Sequence, residues 1–390
     1  MKKITVVGAG SAGCFTALFN SVYFNNPDVE VELIHDPEIK PESVGQATLL
    51  EPPSLLASGI GFDWYNNNIH ATPKTGISYE GWGKKNDKFF HPFPPNTLAM
   101  HLCPWEMQEA VLGSGNFKVV EGKVDPKDVD SDFVFDCRGK PDDLSDYDEL
   151  VNPLNAVILG KPNWNTTENL WSRHVATPDG WTFVIPTNIN SPSRSGSVGY
   201  LYNDTITSKE DAEKNFLEMF DVEITNNLKF KNYVSKNPII DDRIFLNGNR
   251  LFFLEPLEST AIQSYIEFAR LVYNFICIKI WPSPNAPVLN TKDINARFKQ
   301  FMSEVEHFVL WHYQYGSKYD TPFWDYATKL SFRDKTFDAM VEYCKQTTKR
   351  DILPKSYGGA TSDASQYGQW PANSFKVWYD GMTVPQDVNG

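Results

Sequence analysis

The sequence predicts an α/β fold, with an N-terminal βαβ unit interrupted by an inserted α+β region and followed by a helical C-terminal part. Three observations carry this. A β-branched run at Lys3–Val7 passes through clustered glycines into a helix-like stretch. Residues 70–112 and 150–206 mix aromatics, prolines and short alternating runs, the pattern of an antiparallel sheet carrying a pocket. Residues 286–349 disperse Lys and Glu along amphipathic stretches.

The elements follow in order. The first strand at Lys3–Val7 is followed by Gly8-Ala9-Gly10-Ser11-Ala12-Gly13, a helix from Cys14 to about Phe24, and a second strand at Val29–Ile34. This βαβ unit has roughly the ~30 residues that a dinucleotide-binding fingerprint requires. In that motif Gly8 permits the tight turn, Gly10 lets backbone approach a pyrophosphate, and Gly13 lets the helix pack on the strand. Ser11 and Ala12 belong to the same turn. The place of the usual ribose-binding acid holds His35-Asp36, so either Asp36, one residue late, or His35 is expected to reach the ribose hydroxyls. Later strands are expected at 117–120, 133–136, 244–246 and 251–254, and a helix after Glu258 through Ile276. The strand-turn at 132–139 is of the kind found in FAD proteins of the glutathione-reductase type. The fold class expected is therefore an FAD-binding Rossmann-like domain with an inserted α+β substrate domain. No second GxGxxG offers a nicotinamide site, which implies a separate flavin reductase as partner.

The boundaries expected are 1–70, 115–150 and 240–285 for a discontinuous FAD-binding domain, and 71–114 with 151–239 for the substrate-binding sheet. Residues 286–390 form a helical region covering the substrate site, its last 40 residues wrapping over the other parts. The 390 residues carry a net charge of −13, which argues against a nucleic-acid surface and against anchoring to anionic membranes. Five scattered cysteines without a CxxC pair suit a reducing compartment and offer no metal site. No apolar stretch reaches the ~18 residues of a membrane span. The N-terminal run enters glycines rather than a cleavage site, so it reads as a strand and not a signal peptide, and a cytoplasmic protein is expected. A homo-oligomer is compatible with all of this.

Six strings carry more specific information, in this order: Val44-Gly45-Gln46-Ala47-Thr48, Phe90-His91-Pro92-Phe93, Gly180-Trp181-Thr182-Phe183-Val184-Ile185-Pro186, Glu255-Pro256-Leu257-Glu258-Ser259-Thr260-Ala261, Asp320-Thr321-Pro322-Phe323-Trp324 after His312-Tyr313, and Tyr367-Gly368-Gln369-Trp370. Together with the glycine turn they resemble the flavin-dependent halogenases of the tryptophan-halogenase type, over most of the chain. The resemblance implies that reduced FAD and O2 form a flavin hydroperoxide, which a halide attacks to give hypohalous acid. Lys74 then corresponds to the lysine that delivers electrophilic halogen, by hydrogen-bonding the hypohalous acid or as a haloamine. Glu258 corresponds to the glutamate that stabilises the cationic ring and takes its proton. The halide falls to the backbone N–H groups of Thr260 and Ala261, beside Ser259. His91, Pro92 and Phe93, with Trp181 and Phe183, are assigned to a small aromatic substrate. Gln46, Ala47, Val124, Gly248 and Asn249 join the glycine turn as FAD-binding residues.

The chain departs from the family in four places. Phe183 stands for the second Trp of the tryptophan motif, Gln46 for an acidic residue near the flavin, and Ala261 for the usual Gly. The stretch from Lys74 to Glu258 is shorter than in tryptophan halogenases, from which we expect a more open pocket and a substrate other than free tryptophan. Two alternatives stand beside this reading. An FAD-dependent aromatic monooxygenase has no need of paired Lys74 and Glu258, and a non-catalytic flavin-fold binding protein has no reason to keep them. Taken alone, Lys74 reads as a surface lysine and Glu258 as a helix N-terminal carboxylate with Ser259 or Thr260 as cap.

Overall fold

The computed structural model describes residues 1–41, 44–186, 197–285, 288–331, 366–367 and 370–383. Gly368 and Gln369 of the last string lie outside the described residues, as do residues 332–365. The α/β class holds. The strand Lys2–Val7 is buried from Ile4 onward and pairs in parallel with Val29–His35 on one side and Phe133–Asp136 on the other. Ile244–Leu246 and Lys118–Glu121 extend this sheet in parallel, and Ile239–Ile240 closes one edge antiparallel. Its strands are apolar on both faces, as a sheet covered by helices requires.

The helix Ser11–Tyr23 begins three residues before the run read from sequence. It lies so close to its strand that a Cβ on Gly13 would stand 1.9 Å from the carbonyl oxygen of Gly8. Gly13 is thus required for packing, whereas a Cβ on Gly10 meets nothing within 4 Å.

The inserted region is a seven-stranded sheet in the order Val222–Lys229, Ala156–Pro162, Ser197–Tyr202, Gly180–Ile185, Ser172–Thr177, Gly76–Glu80, Lys88–Pro92. It is antiparallel except where Ser172–Thr177 runs parallel to Gly76–Glu80. The strand expected at 251–254 forms only at Phe252–Phe253. It pairs with Tyr233–Ser235 in a small separate sheet instead of extending the parallel one. A fourth sheet joins Gln46–Ala47, Ala99–Leu102 and Thr72–Lys74.

Among the further helices of the described part, three matter for the site: Thr260–Ile280, Thr291–Gln314 and Ala372–Thr383. In the second, every residue from Val305 to Tyr313 is buried. A stretch that is apolar on all sides must run through the interior. The polar members of that stretch, Glu306, His307 and His312, are carried inside with it. No helix among the described residues is long and apolar enough to cross a membrane.

Candidate active site

The glycine turn sits at the C-terminal end of its strand and opens the helix Ser11–Tyr23. Gly10 is the N-cap at φ −65° and ψ 179°, no side chain caps the helix, and its first turn holds no acidic residue. The first N–H groups of a helix lack intrahelical acceptors and sit at the positive end of its dipole. An uncapped, acid-free helix start with open space over Gly10 fits a pyrophosphate. Around it the protein fixes the turn. Ser11 Oγ donates to Gln46 Oε1 at 2.6 Å, and Gln108 Nε2 donates to the Ala9 carbonyl at 2.6 Å. Gly248, at φ +64°, lies where a Cβ would meet Ala12 Cβ at 2.4 Å. Asn249 Oδ1 accepts from the Tyr265 hydroxyl at 3.2 Å. His35 and Asp36 stand together at the end of the second strand, but Asp36 Oδ1 already accepts the Glu38 N–H in a local turn. The His35 carbonyl accepts from Gly122 N, next to the loop that carries the partly buried Val124.

The small sheet of Gln46–Ala47, Ala99–Leu102 and Thr72–Lys74 connects this turn to a lysine. Ala47 and Thr72 both register against His101, so the Gln46–Thr48 segment and Lys74 share one central strand. Lys74 is fully enclosed. Its Nζ donates to Ser259 Oγ at 2.9 Å and to the Thr48 carbonyl at 3.1 Å, and stands 5.3 Å from the Phe93 ring centroid. Burial lowers its pKa from 10.5 to about 7, against the opposing attraction of Glu258. Read alone as a surface lysine, this residue would have been misplaced.

Glu258 is 1% exposed, at the entry to the helix Thr260–Ile280. The chain enters that helix through two successive left-handed residues, Glu258 at φ 72° and Ser259 at φ 57°. Such a conformation costs about 1–2 kcal/mol per non-glycine residue and is kept only where surroundings impose it. It turns the Glu258 side chain inward, where Oε1 lies 3.2 Å from His312 Nε2. Ser259 is the N-cap residue but makes no side-chain cap bond, because its hydroxyl accepts from Lys74. The simple capping role is therefore corrected. Thr260 and Ala261 form the first turn of that helix, adjoining the Lys74–Ser259 contact.

A second carboxylate holds this geometry. Glu255 is completely buried and accepts four hydrogen bonds, from Tyr313 hydroxyl (2.7 Å), Leu257 N (3.0 Å), Trp181 Nε1 (3.2 Å) and Asn152 Nδ2 (3.4 Å). Desolvation raises its pKa to about 6 in spite of these donors. Trp181, assigned to substrate from sequence, is thus wholly buried with its indole N–H committed to Glu255. Phe183 is 6% exposed, and its ring occupies the space that a Cβ on Gly199 would need.

His91, Pro92 and Phe93 end the edge strand of the seven-stranded sheet and run past Lys74. His91 stacks on Trp378 with centroids 3.9 Å apart, and its Nε2 meets Ser374 Oγ at 3.1 Å. Pro92 faces outward. A planar arene between His91 and Trp378 requires these rings to part. Lys74, Glu258 and His91 are all enclosed.

Sequence reasoning gave no role to His312, Glu255, Tyr313, Trp378 or Gln108. The legible signal for the first three was a polar residue inside an otherwise apolar run, at Leu254-Glu255-Pro256-Leu257 and Leu310-Trp311-His312-Tyr313. Trp378 and Gln108 carried no such signal.

A parallel sheet whose first strand and helix frame a glycine turn, joined to a buried Lys–Glu pair, is the architecture of a dinucleotide-binding protein with a buried polar centre. Comparison with known proteins narrows the class. The tryptophan halogenase family model matches residues 3–109 and 111–388, and the chain belongs to that family. Tryptophan 6-halogenase ThaL of Streptomyces albogriseolus is 24% identical over 309 residues, covering 75% of this chain and 55% of that protein. Tryptophan 7-halogenase RebH of Lentzea aerocolonigenes is 24% identical over 221 residues, covering 53% and 39%. The chain thus spans about half the length of the curated relatives it matches. Among solved structures, BrvH, a flavin-dependent halogenase from Brevundimonas sp. BAL3, superposes with a TM-score of 0.75 at 17% identity, covering 99% of this chain and 91% of that one. The tryptophan 6-halogenase SttH from Streptomyces toxytricini gives 0.74 at 20% identity, covering 98% and 90%. At these identities the structures establish the shared fold.

Proposed function

We propose that this protein is a halogenase that uses reduced FAD, O2 and a halide ion to install halogen on an electron-rich aromatic or heteroaromatic substrate. The observation that carries the proposal is that Lys74 and Glu258 are buried in one polar centre. They are linked through Ser259, and the flanking Gln46–Thr48 segment is bonded directly to the phosphate turn. A fully buried lysine beside a fully buried glutamate costs folding free energy, and groups so placed mark sites of chemistry. Reduced FAD, held at Gly8–Gly13, would bring O2 to the peroxide level and so supply the oxidising equivalent that converts halide to hypohalous acid.

The chain's own residues do the rest. Gly10, Ser11 and Ala12 present helix N–H groups to the pyrophosphate, with Gly248 packed against Ala12 and Asn249 beside it. His35 and Asp36 would contact the ribose, with Val124 as a neighbouring flavin-site residue. Gln46 and Ala47 lie along the path to Lys74. The backbone N–H groups of Thr260 and Ala261, with Ser259, provide a halide site at a helix start. Lys74 has two of its donors fixed by Ser259 and Thr48, which leaves the third to polarise the electrophilic halogen toward the ring. Glu258 takes the proton that the ring must lose. His91 and Phe93 form the aromatic wall, with Pro92 between them facing outward and Trp181 and Phe183 behind. The reduced flavin comes from a separate flavin reductase.

The test supplies reduced FAD from such a reductase, with O2, halide and a panel of arenes, and reads product masses. Halogenated products that vanish in Lys74→Ala are expected. Hydroxylated products without halogen would refute the reading in favour of a monooxygenase, and stable FAD binding without turnover would indicate a binding protein.

A further inference from the structure

We infer that the protein carries a second ligand site, apart from the glycine turn and the Lys74 centre, that takes a small aromatic carboxylate. It is a cavity where the small sheet meets strand ends of the seven-stranded sheet, with Lys140 and Lys231 for the carboxylate and Phe230 and Tyr326 for the ring. Binding there needs neither flavin nor turnover, so it does not rest on the halogenase reading.

The cavity measures about 480 Å3, within the range of roughly 300–1,000 Å3 usual for small-molecule sites. The chain reaches it at strand ends. Residues 150–155 lead into Ala156–Pro162, Asn203 follows Ser197–Tyr202, and Lys229 closes Val222–Lys229. From the small sheet comes Tyr147–Glu149, which pairs with Tyr233–Ser235. Asparagines tie these ends together. Asn203 Nδ2 donates to the Pro153 carbonyl at 2.7 Å, Asn232 Nδ2 to the Leu154 carbonyl at 3.0 Å, and Asn155 Nδ2 to Asp204 Oδ1 at 2.7 Å. The walls are therefore fixed in advance, which spares a ligand the cost of ordering them.

Its charge is opposite to that of the whole chain. The protein has a net charge of −13, yet the cavity is lined by three lysines and a single carboxylate, Glu149. Lys229 Nζ is paired with Asp204 Oδ2 at 2.5 Å, which neutralises one of the three. Lys140 and Lys231 are exposed and form no ion pair among the described residues. The excess of one positive charge suits a monoanion. Exposed ammonium groups hold a carboxylate weakly, so affinity needs an apolar contribution as well. The wall supplies it. Leu150 and Leu154 are buried, Phe230 packs against Phe253, and Tyr326 is left 42% exposed on the short helix Pro322–Ala327. An arene that covers such a ring gains contact area and ring–ring attraction. Inorganic phosphate or sulfate would meet the lysines but leave this wall uncovered, and a neutral arene would leave the lysines without a counter-charge.

Two residues of the cavity also hold the buried carboxylate of the reactive centre. Asn152 Nδ2 donates to Glu255 Oε1 at 3.4 Å, and Asn232 Oδ1 accepts from Glu255 N at 2.9 Å. Glu255 in turn accepts from Leu257 N, next to Glu258. Occupancy of the cavity is thereby coupled to the Glu258 turn through Asn152 and Asn232, and the coupling must act equally in both directions.

Calorimetric titration of the full-length protein with phenylacetate tests the site. One saturable site with a Kd of about 1 mM or tighter is expected at low ionic strength, with FAD affinity unchanged in its presence. Phenylacetamide keeps the shape without the charge and should bind about fivefold more weakly or worse. Hexanoate and sulfate keep the charge without the ring and should bind about threefold more weakly or worse. Lys140→Glu combined with Lys231→Glu should abolish binding, and Tyr326→Ala should weaken it about threefold or more. These three side chains are exposed, so both variants should keep the parent Tm. Glu255→Gln should change the phenylacetate affinity about threefold or more through the shared asparagines. Absence of saturable binding overturns the inference, as does binding that displaces FAD or survives the double charge reversal, since the ligand then sits elsewhere. Phenylacetamide, hexanoate or sulfate binding as tightly as phenylacetate overturns the ligand class, and an affinity indifferent to Glu255→Gln overturns the coupling. None of these results bears on whether the protein halogenates an arene, and a protein that fails to halogenate can still pass every one of them.

Discussion

Substituting Glu255 by Gln changes two atoms and tests how the site is held. Each carboxylate oxygen of Glu255 accepts two donors, Tyr313 and Asn152 at Oε1, Trp181 and Leu257 N at Oε2. An amide keeps one acceptor and turns an NH2 group against two donors, so two bonds to a charged acceptor are lost, about 3–6 kcal/mol together. The carboxylate itself is penalised by burial, because its pKa rises from 4.5 to about 6. At ~1.4 kcal/mol per unit the neutral amide recovers about 2 kcal/mol at pH 7. The net expectation is a loss of about 1–4 kcal/mol, or roughly 1–5 °C in Tm, taking ~2.1 cal/mol/K per residue. The sign of the pH dependence follows from the raised pKa. The folded protein binds this proton more tightly than the unfolded chain does, so the group's stabilising contribution is complete below pH 4.5 and lost as pH rises through about 6. Glu255→Gln lacks that gain, so its deficit should widen by about 1 kcal/mol between pH 7 and pH 5. Denaturant unfolding at both pH values measures it. A variant as stable as the parent at pH 7, or a deficit that does not widen on acidification, would refute the reasoning.

Other expectations are separable from this one. Gly10→Ala should fold with unchanged stability, since a Cβ there meets nothing within 4 Å, yet bind FAD about tenfold or more weakly by flavin titration, because the methyl occupies the pyrophosphate's approach. Gly13→Ala should instead fail to give folded protein, its Cβ falling 1.9 Å from the Gly8 carbonyl oxygen. Lys74, with a pKa of about 7, should lose its proton across pH 6–8. The halogenation rate should fall over that range if the ammonium polarises the electrophile, and Lys74→Arg should show no such limb in any residual activity. A rate that climbs through the same range would assign the work to the free amine. Trp378→Ala should lower KM for bulky arenes in steady-state assays, since His91 and Trp378 must otherwise separate from a 3.9 Å stack.

How much of this was legible in the sequence depends on whether a residue's role was local. The glycine turn was readable because its chemistry is backbone chemistry: strand, tight turn and helix start are consecutive in the chain, and the structure differs only in starting the helix three residues earlier. The parallel strands at 133–136 and 244–246 were readable for the same reason, as short apolar runs. The strand at 251–254 was misjudged in extent because its partner, Tyr233–Ser235, is set by tertiary pairing that no local pattern encodes. The site shows the same division more sharply. Lys74 and Glu258 could be named only through a resemblance, since each taken singly reads as an ordinary surface or capping residue. What makes them unusual is a small sheet that places Lys74 over Thr48, and a helix that carries His312 to Glu258 from 54 residues away in the chain. Glu255 was overlooked although it stands inside a quoted string, because a glutamate before a proline carries no mark of burial. Its function lies in its donors, drawn from a strand, a helix, a loop and its own turn. These contacts hold Trp181 and Tyr313, and through Leu257 the turn that bears Glu258, so several strings of the sequence signature converge on one buried carboxylate. The aromatic positions carried over as substrate contacts divide accordingly, with Phe93 beside Lys74 and Trp181 behind the site, bonded to Glu255.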